Sequence, residues 1–180
     1  MKCTVGRQCY SISKNFTATA IGIAQDMGLL SVDDEIIKFF KDRLPDNMDE
    51  KLGKVKIHHL LAQTMGNAEG YLFENDRYTH NTDDYVGLIL SKPLQYQPGE
   101  KFVYSNSTYY LLSCIIHKVS GLTLDMFLRR YLFSHLGINS FAWETCPRGE
   151  TMGATGMYMS TPDIAKLGLL YINKGKYEGK

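Results

Sequence analysis

Ser11 and Lys14 stand three residues apart where a helix should begin. Phe16, Ala20, Ile23, Ala24 and Met27 recur at three- and four-residue steps, which marks one face of that helix, and Gly28 closes it. Residues three apart on a helix are neighbours, with about 5–6 Å between Cβ atoms. Lys14 breaks a local rule. The first turn of a helix carries partial positive charge and disfavours a cation by about 0.3–1 kcal/mol. A structural capping box would place Glu or Gln there instead. Chemistry supplies a motive: a serine hydroxyl is a weak nucleophile until a base takes its proton. Burial and the helix N-terminus both disfavour a charged lysine, so Lys14 would be fitted to act as that base.

The motif alone carries little weight, because a chain with 11 Ser and 14 Lys yields roughly one S-x-x-K match by chance. A second group strengthens it. Tyr104-Ser105-Asn106 lies between an extended piece and a helix, a common place for functional side chains. A tyrosine there would shuttle a proton, and an asparagine would bond a substrate amide. Tyr171-Ile172-Asn173 has the same spacing, so context must discriminate. Tyr104 follows a Pro98-Gly99 turn and a short extended run, whereas Tyr171 reads as a buried helical aromatic.

The elements that must position these groups fit one domain of 180 residues with net charge +1. No basic stripe points to nucleic acid. No apolar run approaches the roughly 18 residues of a membrane span. The N-terminal residues have no apolar signal-peptide core, which leaves the compartment open. Cys3, Cys9, Cys114 and Cys146 show no metal-ligand spacing, and Cys114 reads as a buried thiol. His58-His59 has no H-E-x-x-H frame, so neither a metal nor a cofactor is expected.

Helices are expected from Ser31, with Asp33 and Asp34 in its first turn, to Phe40; from His58 to Gln63; and from a Thr82-Asp83-Asp84 cap to about Ser91. Three more should carry Tyr109, Leu112, Ile116 and Val119 up to Gly121, run from a Thr123 cap through Leu132, and run from a Thr161 cap to about Asn173. Residues 41–54 read as a surface loop and 139–153 as irregular. Residues 55–57 and 101–104 read as extended, and 155–160 as a short turn or strand. Residues 67–81, with Tyr71, Phe73, Tyr78 and His80, read either as a packed surface loop or as one wall of a pocket. The balance is mainly α, with too few extended residues for a substantial sheet.

Several ordered blocks now resemble one family. They are Tyr10-Ser-Ile-Ser-Lys14-Asn-Phe-Thr-Ala, Gly28-Leu-Leu-Ser-Val-Asp-Asp34, Val55-Lys-Ile-His-His-Leu-Leu61 and Pro98-Gly-Glu-Lys-Phe-Val-Tyr-Ser-Asn106. Leu136-Gly-Ile138 and Gly156-Met-Tyr-Met-Ser-Thr-Pro-Asp163 follow in order. Together they resemble the serine beta-lactamase and penicillin-binding-protein superfamily, in the branch of class C beta-lactamases, D-alanyl-D-alanine carboxypeptidases and related esterases. The resemblance implies that Ser11 is the acylated nucleophile, Lys14 its base, Tyr104 a proton relay, and Asn106 the residue that orients Lys14 and the substrate amide. It implies a small-molecule or peptide substrate with a lactam, amide or ester carbonyl, and relatives that are often exported. The family's third element, Lys-Thr-Gly or His-x-Gly, is expected on a strand well downstream; these 180 residues contain no Lys-Thr-Gly and end before the place where one would fall. The expectation is therefore the helical portion of an α/β beta-lactamase/transpeptidase-like fold, a single truncated domain over residues 1–180 with most of its central antiparallel sheet missing. A partner chain or swapped copy would complete that sheet. The rival expectation is a non-catalytic helical remnant or interaction module.

Overall fold

In the computed structural model, which describes residues 6–73 and 82–178, the opening periodicity becomes helix α1 (Ser13–Asp26). Phe16, Ala20 and Ala24 are buried and Ile23 is half-buried. Met27, expected on the same face, is exposed because the helix ends one residue before it. Among the described residues, five further helices follow: α2 (Ile57–Leu61), α3 (Tyr85–Leu90), α4 (Asn106–Ser120), α5 (Leu124–Leu128) and α6 (Thr161–Ile172).

Helix α4 is the centre. Every residue from 106 to 116 is buried, as befits a helix surrounded on all sides. Helices α1, α2 and α5 pack on it. Gly121, at φ +72, ends it in the left-handed conformation that glycine adopts without a Cβ penalty. Helix α5 continues into a π-helical turn (Arg129–Phe133). There Phe133 meets Phe16 edge-on, with ring centroids 5.6 Å apart, and Phe141 at 4.7 Å.

The strands β1 (Arg7–Gln8), β2 (Phe141–Trp143) and β3 (Met157–Met159) form an antiparallel sheet of order β1-β3-β2. Arg7 pairs with Met159, and Phe141 pairs with Met159 from the other side. Met157 and Met159 point into the core while Tyr158 points out, the two-residue alternation of a half-buried strand.

Several local expectations are corrected. The Ser31 region forms a side-chain turn instead of a helix: the Ser31 N–H donates to Asp34 Oδ2 at 2.7 Å, and the Asp33 N–H donates to Ser31 Oγ at 3.2 Å. A short 3-10 turn (Ile36–Phe39) follows. Serine and aspartate compete for backbone donors, which favours turns over helix. Residues 139–153, expected to be irregular, contain β2 and a Thr145–Thr151 bridge. Residues 41–54, expected to be a surface loop, contain two 3-10 turns and bury Leu52. Residues 101–104 pair in no ladder among the described residues. The cap of α6 is Ser160, which accepts from the Asp163 N–H, and not Thr161. Tyr171 is exposed, not buried, because α6 turns only Leu167 fully inward.

Truncating a fully enclosed aromatic removes its packing and leaves a cavity. Phe16→Ala is expected to lower unfolding stability in urea by about 3–5 kcal/mol, and a loss below about 1 kcal/mol would contradict this account of the core.

Candidate active site

Ser11 lies in a 3-10 turn (Tyr10–Ile12) that leads directly into α1. Tyr10 has φ +45, a left-handed value that costs a non-glycine residue on the order of 1–3 kcal/mol. The buried Ser13 hydroxyl donates to the Tyr10 carbonyl at 2.6 Å and holds that bend. The result is an exposed Ser11 hydroxyl at the opening of α1.

Three elements converge on Lys14, which is only 6% exposed. From the turn that leads into its own helix, Ser11 Oγ lies 3.3 Å from Nζ. From α4, Asn106 Oδ1 accepts at 2.7 Å. From the loop before β3, the Ala154 carbonyl accepts at 2.9 Å. The orientation of the Asn106 amide is fixed by its other end, where Nδ2 donates to the Leu72 carbonyl at 3.0 Å. The Asn106 oxygen must therefore face Lys14.

This donor count has a chemical consequence. The Asn106 Oδ1 and Ala154 carbonyl oxygens can only accept. With two of its N–H groups placed on them, the amine turns its remaining position toward Ser11 Oγ, a third N–H when charged and a lone pair when neutral. Tyr104 completes the group: its hydroxyl donates to Ser11 Oγ at 2.6 Å, and its ring centroid lies 4.9 Å from Lys14 Nζ.

Electrostatics runs the same way. Burial lowers the Lys14 pKa from its ordinary value, against the Tyr104 hydroxyl, which works to raise it. For Tyr104, burial pushes upward, but hydrogen bonds with Ser11 and Lys14 and the Lys14 charge outweigh it, so its pKa is also lowered. Each of the two groups favours the charged form of the other.

The structure thus brings Ser11, Lys14, Tyr104 and Asn106 together. Tyr171, the decoy with the same spacing, instead places its hydroxyl 2.9 Å from Thr19 Oγ1. Of residues 67–81, Phe73 stacks on Tyr104 with centroids 6.3 Å apart. Tyr78 and His80 lie outside the described residues. His58 and His59 lean on each other at 4.1 Å, and His59 Nδ1 accepts from the Lys56 N–H.

Ala154 and Leu72 were missed by the sequence reasoning because they act through backbone carbonyls. The only signal near Ala154 is Gly153, at φ +62. A Cβ there would lie 2.6 Å from the Tyr109 carbonyl, so glycine lets the loop press onto α4. The Thr17 hydroxyl donates to the Gly153 carbonyl at 2.6 Å and ties the same loop to α1.

Removing the Tyr104 phenol removes a group that raises the Lys14 pKa. Tyr104→Phe is therefore expected to lower the Lys14 pKa further, read from the lysine 13Cε shift across a pH titration. A rise, or no change, would contradict the coupling.

A family model described as Beta-lactamase matches residues 8–179. A penicillin-binding protein of Bacillus subtilis (strain 168) is 31% identical over 135 residues, covering 72% of this chain and 28% of that protein. An octameric penicillin-binding protein homologue from Pyrococcus abyssi superposes with a TM-score of 0.76 at 24% identity, covering 96% of this chain and 46% of that one. A beta-lactamase/D-alanine carboxypeptidase from Pseudomonas syringae gives 0.75 at 24% identity, covering 100% and 54%. The chain therefore spans under a third of that curated relative and about half of each solved structure.

Proposed function

The chain belongs to the beta-lactamase family, and from that premise we propose that it is a serine hydrolase forming an acyl-enzyme on Ser11. The observation that carries this reading is the convergence of Lys14 Nζ and the Tyr104 hydroxyl on one exposed serine oxygen, at 3.3 and 2.6 Å.

The chemistry follows from the donor count. Ser11 Oγ attacks a carbonyl carbon and its proton passes to the lone pair of Lys14. The carbonyl oxygen becomes an oxyanion, for which the Ser11 backbone N–H is one donor, an interaction often worth about 3 kcal/mol. The bond to the leaving group breaks, and the leaving atom takes a proton from Tyr104, which recovers one from Lys14. Water then attacks the acyl-enzyme, giving up a proton to the Tyr104–Lys14 pair; the bond from the acyl carbon to Ser11 Oγ breaks, the pair returns that proton to Ser11 Oγ, and the acid product leaves. Asn106 holds Lys14 in place, and its second amide N–H remains to meet a substrate carbonyl. The substrate is a beta-lactam, a D-Ala-D-Ala peptide or an ester; an amide or ester carbonyl satisfies this geometry equally well.

One observation favours a second reading, a non-catalytic helical module. Helix α6 exposes Leu169, Tyr171 and Ile172, the last at 77%. An apolar strip of this kind marks an interaction surface. On the first reading, the same strip is where a further layer, from a partner chain or swapped copy, completes the sheet.

Incubation with a penicillin or a fluorophosphonate, followed by mass spectrometry, separates the two. The expected outcome is one adduct on Ser11, absent in Ser11→Ala and in Lys14→Met, with far-UV circular dichroism unchanged in both variants. A folded wild-type chain that takes no adduct would favour the module.

A further inference from the structure

We propose that Gln63 is a positioning residue for Tyr104; this rests on the proton-relay reading of Tyr104 above. The tyrosine hydroxyl must sit within hydrogen-bond reach of Ser11, yet residues 101–105 belong to no ladder among the described residues. Something else must fix their height and rotation.

Gln63 bonds to the backbone on both sides of Tyr104. Its carbonyl accepts from the Val103 N–H at 2.9 Å. Its side-chain Oε1 accepts from the Ser105 N–H at 2.7 Å. One residue thus holds the peptide groups flanking the relay, and Tyr104 is the residue spanned between them. The backbone that carries the tyrosine cannot turn without breaking one of them.

Gln63 is itself held. It is 7% exposed. Its own N–H donates to the Leu60 carbonyl at 3.1 Å. Its φ of +57 lies in the left-handed region, a cost that the surrounding structure must offset. Glycine would suit that backbone better but has no side chain to reach Ser105. A glutamine here sacrifices backbone ease for a second anchor. The neighbouring residues extend the brace: the Thr64 carbonyl accepts from the Gly99 N–H at 2.8 Å, and the Gly66 carbonyl from the Tyr96 N–H at 3.0 Å. On the far side, Ser105 Oγ accepts from the Tyr71 N–H at 2.9 Å. Gly70 packs so close to the Tyr104 carbonyl that a Cβ would overlap it. The segment's backbone is gripped from two directions, and of these contacts the Gln63 Oε1 bond is the one made by a side chain from outside the segment.

Gln63→Met keeps the length and removes the acceptor. Gln63→Asn tolerates the left-handed backbone but is too short to reach Ser105, so it serves if the methionine variant fails to fold. Two readouts follow. In 13Cζ-tyrosine spectra, with Tyr104 assigned through Tyr104→Phe, the wild-type Tyr104 is expected to titrate below the ordinary tyrosine value, held down by its hydrogen bonds with Ser11 and Lys14. In either Gln63 variant its midpoint should move up toward that value, because the hydroxyl loses its registry with Ser11 and Lys14. Acylation of Ser11 by a penicillin should slow about tenfold in Gln63→Met, but by less than about twofold when Tyr104→Phe is already present. An unmoved Tyr104 titration overturns the proposal, as does an equal rate loss in both backgrounds. If the wild-type chain takes no acyl group, the relay reading has failed, and the titration alone decides whether Gln63 positions the tyrosine.

Discussion

A lysine amine inside a protein must find acceptors or lose its proton, and this requirement organises the molecule around Lys14. Desolvation alone would leave the group costly and unspecified in direction. Two fixed oxygens, one on Asn106 and one on Ala154, give it direction. They come from α4 and from the loop before β3, so helix, helix and loop must all be in register for the amine to face Ser11. The burial of α4 on all sides and the packing of α1 upon it serve that register.

The polar groups at the start of α4 explain why so many of them are buried there. Ser105, Asn106, Ser107 and Thr108 are all nearly inaccessible. Each has a partner: Ser105 and Ser107 hydroxyls meet at 2.6 Å, Asn106 and Ser107 N–H groups donate to the Tyr71 carbonyl, and Thr108 donates to the Ser105 carbonyl. A satisfied buried network holds a single arrangement, whereas a half-satisfied one would be worse than apolar packing. The network also captures residues 71–73, which brings Phe73 over the Tyr104 ring. Residues 71–73, without helical or strand pattern, are thereby fixed beside Tyr104.

Backbone conformations that disfavour side chains cluster around the same place. Tyr10, Gln63 and Leu72 all have positive φ, at +45, +57 and +61. Tyr10 precedes the serine, Gln63 bonds beside Tyr104, and Leu72 supplies the carbonyl that orients Asn106. Each is held by hydrogen bonds or by burial, so the strain is offset by the packing around it. Such residues concentrate where a side chain or carbonyl must be aimed.

The sequence by itself determined the side chains of the site and the helices that carry two of them. Ser11 and Lys14 are close in sequence, so helical spacing alone makes them neighbours, and the misplaced charge on Lys14 was visible without coordinates. Tyr104 and Asn106 were less plainly legible, because their spacing recurs at Tyr171; the turn and extended run before Tyr104 set it apart, but nothing local revealed that Tyr171 is exposed. Tertiary structure decided between them by laying the start of α4 against α1. It also decided everything that acts through the backbone: the Ala154 carbonyl, the Leu72 carbonyl and the pairing of β1 with a strand some 150 residues away. A carbonyl oxygen is the same in every residue, so its role is set by where the chain passes and leaves no mark on residue type.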